Sequence, residues 1–273
     1  MLKHSITCAL AIFSVFAAGA QNNFTEDTDG LGIPMVFIEE TTFIMGATEE
    51  QGDDKEDDEN LHSVTISPFF IGATEITQGQ WKKVMGTSLR DMFDKVKPDH
   101  EFGRYGEGDN LPMYYVTWND ASDFCRRLSE MTGLNYRLPT ESEWELAARG
   151  GSGKTTKYAG SDEIDAVGWY VDNSDMDRTN KGNPVAHPVA TLPANAIGLH
   201  DMSGNVCEWV ADYYSPYPKE ETTDPLGKDF NGDRVYRGGA FRSSKNYCRI
   251  SFRNSNAPDY ASEAIGFRVV CEP

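Results

Sequence analysis

The pattern of apolar and polar residues divides the chain into a strand-rich beginning and a helical middle. Residues 34–45 read PMVFIEETTFIM, two extended runs rich in β-branched and aromatic residues that end at Gly46, and they predict a β-hairpin. Residues 61–77, LHSVTISPFFIGATEIT, alternate in the same way and predict further strands. The charged run at 49–60, EEQGDDKEDDEN, predicts a solvated loop. The alternative for that run is a loop that binds a cation or a partner.

Three segments in the middle of the chain predict helices. Thr77 is a suitable N-cap for a short helix over TQGQWKKVMG. A second helix follows Trp118 and ends at Gly133. Its apolar face comprises Ala121, Phe124, Cys125 and Leu128. Thr140 and Glu143 have the spacing of a capping box at the start of a third helix, ESEWELAA. The buried side of this helix is expected to comprise Trp144, Ala147 and Ala148.

The other segments lack a regular pattern. Residues 90–110 predict an irregular insertion, and the chain after Gly150 offers turns and short strands without another strong helix. Residues 171–189 would form an unusually long irregular loop for a compact domain unless something such as a metal ion holds it. Gly238 and Gly239 allow a backbone conformation or a close approach that side chains forbid. Arg137 can pair with the glutamates of the third helix.

The first residues have the order of a secretory signal peptide: Lys3 and His4, an apolar stretch at 6–18, and Ala18-Gly19-Ala20. Such a peptide would direct the protein to the periplasm or the cell exterior and would be cleaved near Ala20. A lipid-anchored Cys8 is not favoured, because Cys8 precedes most of the apolar stretch. We expect a signal peptide at 1–20, a flexible segment at 21–33 and one domain at 34–273. No later segment has the roughly twenty apolar residues of a membrane span.

Acidic residues dominate the charge: 43 Asp and Glu oppose 25 Lys and Arg, for a net charge of -18. This balance argues against a nucleic-acid partner, whose phosphates require basic residues. The negative charge is typical of a protein that is soluble outside the cell, and it favours the binding of cations. Beyond Cys8, the cysteines are Cys125, Cys207, Cys248 and Cys271. Their spacing fits no zinc site, and in an oxidising compartment they can pair in three ways, among which the spacing does not choose.

Seven motifs occur in order along the chain: FIMG at 43–46, TEITQGQW at 74–81, VTWNDASDFC at 116–125, RLPTESEWELAARGG at 137–151, NAIGLHDMSGNVCEWVADYY at 195–214, RVYRGGAFR at 234–242 and IGFRVV at 265–270. In this order they resemble the formylglycine-generating-enzyme family, also called the sulfatase-modifying-factor family. The resemblance implies an α+β fold, an elaborated C-type-lectin-like domain with little regular secondary structure.

The resemblance also implies a structural calcium ion. In the motif DMSGNVCEW the family's ligands fall on the side chains of Asp201 and Glu208 and on the carbonyls of Gly204 and Val206. Carboxylates together with a glycine-containing loop that turns carbonyls inward are the oxygen ligands that calcium requires. A turn held only by hydrogen bonds is the alternative. Asn173 falls in the region of a second family calcium site, where this chain differs.

The family's oxidases bind copper(I) through two thiolates and convert a substrate cysteine to formylglycine. Aligned from Gly238-Gly239, the first thiolate position is Ser243 and the second is Cys248, while a serine of the family's active site falls at Ala240. Copper(I) is a soft ion that prefers thiolates, and a hydroxyl is a hard ligand. We therefore do not expect copper or standard oxidase activity.

Cys248 has two interpretations. In the first, Cys248 belongs to a structural disulfide with Cys207 as a candidate partner, while the resemblance implies a bridge between the regions of Cys125 and Cys271. Alternatively, Arg242, Lys245 and Arg249 would favour a reactive thiolate at Cys248, because nearby cations lower the pKa of a thiol.

Two functions are compatible with these residues. The first is an exported, calcium-stabilised module whose cleft around residues 241–256 binds a protein, peptide or glycan. The second is a divergent formylglycine-generating oxidase that acts on a sulfatase through Cys248. An iron-dependent sulfoxide synthase is not expected, since the five histidines lack metal-ligand spacing.

Overall fold

The computed structural model describes residues 22–103, 105–151, 155–175, 183–228 and 231–273. The expected signal peptide at 1–20 lies outside these ranges. The α-helices are α1 (Gln78–Met85), α2 (Leu89–Val96), α3 (Trp118–Thr132) and α4 (Glu141–Ala148). The strands are β1 (Phe24–Glu26), β2 (Ile33–Ile38), β3 (Thr41–Met45), β4 (His62–Ile66), β5 (Phe69–Gly72), β6 (Tyr136–Arg137), β7 (Cys207–Tyr213), β8 (Thr222–Thr223), β9 (Arg234–Arg237), β10 (Arg253–Asn256), β11 (Ile265–Gly266) and β12 (Val270–Cys271).

The strands form three small sheets, so the architecture is α+β with long irregular connections. The strand orders are β1-β2-β5-β12-β6, β10-β9-β7-β11 and β3-β4-β8. The first sheet joins the beginning of the chain to its end, because β5 pairs with both β2 and β12. No helix in the described ranges is long and apolar enough to cross a membrane.

The helix predictions are confirmed, with one omission. Thr77 and Thr140 each form the capping box of the following helix, and Gly133 ends α3 in the left-handed conformation. The expected apolar face of α3 is buried. Residues 90–110 were wrongly expected to be irregular throughout, since α2 lies there with a capping box of its own formed by Ser88 and Asp91. Its apolar side is buried and comprises Leu89, Met92 and Phe93.

The predicted pairing of strands β2 and β3 with each other is wrong. β2 and β3 occupy the predicted positions but do not pair with each other, because β2 pairs with β1 and β5 whereas β3 pairs with β4. Part of the segment 21–33, expected to be flexible, forms β1 and pairs with β2. The expected hairpin is therefore split between two sheets.

Buried ion pairs link the irregular segments to the sheets. Glu145, on the fully buried helix α4, binds Arg149 at 2.8 Å and Arg237 at 2.6 Å. The charged run 49–60 was expected to be solvated, but Glu59 within it is buried and binds Arg249. Arg137 pairs with Glu143 through two contacts of 2.7 Å, as predicted.

Candidate functional site

A double-glycine turn after β9 shapes the region of the predicted cysteine chemistry. Gly238 and Gly239 have φ angles of 91° and 69°, which L side chains rarely adopt. A Cβ on Gly239 would lie 2.6 Å from the Cys248 sulfur and 2.7 Å from the carbonyl oxygen of Tyr247. The glycine therefore lets the segment that contains Cys248 fold back directly against the turn.

The structure brings Ala240, Ser243 and Cys248 together around one backbone N–H. The N–H of Ala240 donates to Ser243 Oγ at 3.0 Å. Burial raises the pKa of the Cys248 thiol to about 12, although a hydrogen bond from the same N–H lowers it. Cys248 is completely buried, and its thiol contacts the carbonyl oxygen of Ser244 at 3.7 Å. The thiol is therefore protonated near neutral pH.

Two of the three cations expected to activate Cys248, Arg242 and Arg249, bind carboxylates elsewhere. Arg249 forms a two-point ion pair with Glu59, with both contacts at 2.7 Å, and Arg242 forms an ion pair with Glu263. Neither guanidinium is among the groups that shift the pKa of the Cys248 thiol. The expectation of a thiolate at Cys248 with a lowered pKa is therefore wrong for this conformation.

The four cysteines in the described ranges are buried free thiols, so neither expected disulfide is formed in this structure. Burial, and then the charge of the neighbouring Cys248, raises the pKa of Cys207. Burial likewise raises the pKa of Cys271 to about 11, and that of Cys125 above its ordinary value. All four therefore remain protonated at neutral pH.

A cavity of about 450 Å³ opens beside the double-glycine turn. We call it the Arg242 cavity. Its aromatic lining comprises Tyr236, Tyr247, Phe252 and Tyr260. Its polar and charged lining comprises Lys97, Arg237, Arg242, Ser243, Asn254, Ser262 and Glu263. The segment 241–256, predicted to border a cleft, contributes several of these side chains, and the volume lies within the range of small-molecule pockets.

The predicted calcium loop is a tight, buried turn. Gly204 has a φ of 92°, and a Cβ there would lie 2.2 Å from the carbonyl oxygen of Trp169. Asp201 Oδ2 accepts a hydrogen bond from the Ala190 N–H at 2.7 Å, whereas its buried Oδ1 has no hydrogen-bond partner. Burial raises the pKa of Asp201 to about 6.

Glu208 already has strong partners within the protein. Its carboxylate binds Arg268 through two contacts of 2.7 Å and accepts from Trp144 Nε1 at 2.7 Å. The structure thus places Asp201, Gly204 and Val206 in one turn and Glu208 next to it in β7, where the Glu208 carboxylate is bound by the Arg268 guanidinium. In the described ranges, no group of three or more His, Cys, Asp or Glu side chains is arranged to hold a metal ion.

Glu75 is a buried carboxylate of this site that the sequence interpretation missed. It accepts hydrogen bonds from the Val206 N–H at 3.2 Å and from Asn205 Nδ2 at 3.1 Å. Burial, followed by the charges of Asp201 and Glu208, raises its pKa well above the ordinary value. The signal that could have indicated Glu75 is a single acidic residue inside the otherwise apolar and neutral stretch 64–77.

Asn173 lies in a separate turn. Its Oδ1 accepts from the Tyr170 N–H at 2.8 Å, and its Nδ2 donates to the carbonyl oxygen of Gly168 at 2.9 Å. The turn is next to the predicted calcium loop, because the Asn205 N–H donates to the carbonyl oxygen of Trp169 at 2.8 Å. Residues 176–182, which follow this turn, lie outside the described ranges.

Comparison with known proteins identifies the family. The sulfatase-modifying factor enzyme 1-like domain matches residues 21–273. A formylglycine-generating enzyme of Streptomyces coelicolor is 37% identical over 83% of this chain and 85% of its own length. Chaperone protein LppX of Paenibacillus barcinonensis is 30% identical over 76% of this chain and 81% of its own length. The structure of Treponema denticola variable protein 1 superposes with a TM-score of 0.77 at 25% identity, over 93% of this chain and 100% of that protein. The chain therefore belongs to the sulfatase-modifying factor enzyme 1-like family and has its α+β, C-type-lectin-like fold.

Proposed function

We propose that this protein is a ligand-binding member of its family without copper-dependent cysteine-oxidase activity. The observation that carries the proposal is the pair of side chains at the two thiolate positions. Ser243 presents a hydroxyl that accepts the Ala240 N–H, and Cys248 is a buried thiol whose pKa is raised to about 12. Copper(I) favours deprotonated soft sulfur, so one protonated thiol beside a hydroxyl is a poor substitute for two thiolates.

The Arg242 cavity supports a binding role. It combines aromatic surface with several hydrogen-bonding groups, a mixture suited to peptides, exposed protein segments and glycans. The relatives support a family with diverse roles, since they carry names as different as formylglycine-generating enzyme and chaperone protein. The 37% identity to a formylglycine-generating enzyme favours the second candidate, an oxidase that acts on a sulfatase through Cys248.

A gain-of-function comparison separates the two candidates. The wild-type protein and the Ser243→Cys variant are titrated with copper(I) and incubated with a cysteine-containing sulfatase-motif peptide, a thiol reductant and oxygen, and the peptide is analysed by mass spectrometry. We expect neither stoichiometric tight copper binding nor aldehyde from the wild type, and tighter copper binding by the variant. Aldehyde formed by the wild type and lost in Cys248→Ala would overturn the proposal.

We also propose that calcium stabilises the loop at Asp201. Asp201, Glu75 and Glu208 are buried carboxylates, and Arg268 is the guanidinium that shifts the pKa values of both Asp201 and Glu75. A divalent cation would balance the excess negative charge and give Asp201 Oδ1 a partner. Asp201 and the carbonyls of Gly204 and Val206 would hold the ion, with Glu208 contributing charge while bound to Arg268. Asn173 would belong to a second site.

Thermal unfolding after chelation tests the calcium proposal. Added calcium is expected to raise the melting temperature of the EDTA-treated protein, since a ligand that binds only the folded state stabilises it. The Asp201→Asn variant should lose most of this increase, whereas Asp99→Asn, at an exposed position outside the loop, should retain it. An unchanged melting temperature in wild type would contradict the proposal.

Export completes the proposed function. The segment 1–20 would be removed near Ala20, and oxidation outside the cytoplasm would then join Cys207 to Cys248 and Cys125 to Cys271. N-terminal sequencing and non-reducing peptide mapping of the protein from a native host test both steps. An intact N-terminus with four free thiols would contradict them.

A further inference from the structure

The charges around the Arg242 cavity differ from those of the rest of the chain. Residues 234–258 contain six Arg or Lys and no Asp or Glu, although the chain carries a net charge of -18. Within this segment, Arg237 and Arg253 bind the buried Glu141, and Arg249 binds the buried Glu59. Arg242, by contrast, is 48% exposed at the cavity.

Arg242 and Lys97 approach the cavity from different elements and share one carboxylate. Lys97 follows α2, and its Nζ lies 3.3 Å from Glu263 Oε2, while Arg242 binds Glu263 Oε1. The Glu263 side chain is only 10% exposed, whereas those of Lys97 and Arg242 are 35% and 48% exposed. Two partly exposed cations against one buried carboxylate leave an excess positive charge that faces the cavity. Arg237 also lines the wall, but Glu141 and Glu145 neutralise it.

A residue in the left-handed conformation lies beside Lys97. Tyr115 is buried and has a φ of 60°, which is unusual for a large side chain. Its N–H donates to the carbonyl oxygen of Ser262, in the cavity wall, at 2.9 Å. The Nζ of Lys97 lies over the Tyr115 ring, 5.4 Å from its centroid. The unusual backbone conformation of Tyr115 therefore occurs at the point where Lys97 reaches the cavity wall beside Glu263.

Aromatic rings lie at the same opening. Tyr247 is 50% exposed and Tyr260 is 40% exposed, and both line the cavity. Tyr247 packs edge-on against Phe252 at 4.9 Å, which gives the exposed ring a fixed support. Exposed tyrosines on a concave surface provide large contact areas at a low cost in side-chain entropy.

We propose that the Arg242 cavity binds a carboxylate carried next to an aromatic ring. Arg242 and Lys97 hold the carboxylate through their solvent-facing sides, and Tyr247 and Tyr260 contact the ring. Either a free aromatic acid or a peptide segment with an aromatic residue beside an acidic one supplies this chemistry. The inference rests on the proposed binding function and specifies the ligand class of its site.

Paired probes test the anion and the ring separately. N-acetyl-L-tyrosine and its neutral amide are titrated into the protein and followed by calorimetry, with glucuronic acid as an anion that lacks an aromatic ring. We expect the acid to bind roughly tenfold or more tightly than the amide and than glucuronic acid, because hydrogen bonds to charged groups are the stronger ones. The blocked peptide acetyl-Gly-Tyr-Glu-Gly-amide distinguishes the two sources. If it binds more tightly than N-acetyl-L-tyrosine, the ligand is a peptide segment; if it binds more weakly, the ligand is a free aromatic acid.

Matched variants test whether Lys97 and Arg242 bind the carboxylate of the ligand. Lys97→Gln and Arg242→Gln should each lower the affinity for the acid roughly tenfold and leave the affinity for the amide unchanged. The controls are Lys95→Gln, in the last turn of α2 but paired with Asp120, and Lys245→Gln, an exposed cation outside the cavity lining. Because Arg242→Gln removes a partner of the buried Glu263, Arg242→Lys is the second variant, and it should retain most of the affinity.

Three results would overturn the inference: equal binding of acid and amide, equal binding of glucuronic acid, or affinities that do not respond to either cation variant. Equal binding of acid and amide would leave the binding function intact and remove only the preference for an anion. Formylglycine production in the peptide assay would instead remove the binding function itself, whatever the titrations give.

Discussion

Glu59 and Arg249 form a buried two-point ion pair that joins positions 190 residues apart in the chain. Both Nη–Oε distances are 2.7 Å, and each side chain is at most 1% exposed. Ser251 Oγ donates to the same carboxylate. The pair attaches the acidic run 49–60 to the segment that carries Cys248, so this run is part of the structure that supports the site.

Removing the Glu59 charge is therefore expected to destabilise the fold. Glu59→Gln removes the two-point countercharge of the buried Arg249, and breaking a buried ion pair typically costs about 3 to 5 kcal/mol. Urea unfolding measures the loss. Glu56→Gln changes an exposed carboxylate of the same run and should alter the free energy of unfolding by less than about 0.5 kcal/mol. Equal effects of the two variants would show that the ion pair contributes no net stability.

A methyl group at Gly239 should disrupt the turn beside Cys248. Gly239→Ala forces a Cβ to within 2.6 Å of the Cys248 sulfur at a φ of 69°. Gly86 has a similar φ of 74° with no atom within 4 Å of its Cβ position, so Gly86→Ala measures the backbone strain alone. We expect Gly86→Ala to cost about 1 kcal/mol and Gly239→Ala distinctly more. Thermal unfolding compares them, and equal losses would mean that the close approach is relieved without cost.

Asp212 makes stability depend on pH near neutrality. Its carboxylate accepts from the Glu141 N–H and the Gly227 N–H, both at 2.6 Å. Burial, and then the charge of Glu141, raises the pKa of Asp212 to about 7. The folded state therefore binds a proton between the unfolded pKa near 4 and pH 7, so this contribution to stability is complete below pH 4 and is lost as pH rises through 7.

The expected result is a lower free energy of unfolding at pH 8 than at pH 5.5, by about 1.4 kcal/mol for each pH unit crossed while only the folded state is protonated. Asp212→Asn should flatten this dependence, although the amide cannot accept both N–H groups and lowers stability at every pH. Asp233→Asn, at a partly exposed carboxyl in the loop before β9, should leave the dependence unchanged. A pH dependence in Asp212→Asn equal to that of wild type would assign the titration to another group.

Local sequence rules predicted the helices because their determinants are local. The capping residues Thr77 and Thr140 lie within three residues of their partners, and the apolar face of α3 follows from spacing alone. The same rule would have found α2, since Ser88 and Asp91 carry a capping box that the irregular pattern around it concealed. The order of the family motifs likewise predicted the fold and the grouping of Ala240, Ser243 and Cys248.

Features that depend on distant partners could not be predicted in this way. The β2–β3 hairpin looked plausible because the two runs are adjacent, yet β2 and β5 form a sheet with β12 at the other end of the chain. A glutamate is buried where a distant arginine forms an ion pair with it, and the local sequence does not identify that arginine. Glu59 forms an ion pair with Arg249. Glu208, whose carboxylate was expected to bind calcium, forms an ion pair with Arg268.

Arg237 connects the helix α4 to the sheet of β9, and its removal should be costly. One terminal nitrogen binds Glu141 and the Tyr217 hydroxyl, and the other binds Glu145 at 2.6 Å and the carbonyl oxygen of Ile250 at 2.7 Å. Arg237→Met leaves buried carboxylate charge less compensated, so we expect a loss of about 3 to 5 kcal/mol in urea unfolding. The exposed pair of Arg90 and Glu107, with side chains 58% and 46% exposed, provides the comparison.

Arg90→Met should cost at most about 1 kcal/mol, because water screens exposed pairs. Glu145→Gln in the Arg237→Met background removes part of the uncompensated charge, so the double variant is expected to lose less than the sum of the single losses. Strict additivity would mean that Arg237 and Glu145 act independently despite their contact. A loss for Arg237→Met no larger than that for Arg90→Met would show that packing replaces the buried ion pairs in holding α4 to the sheet.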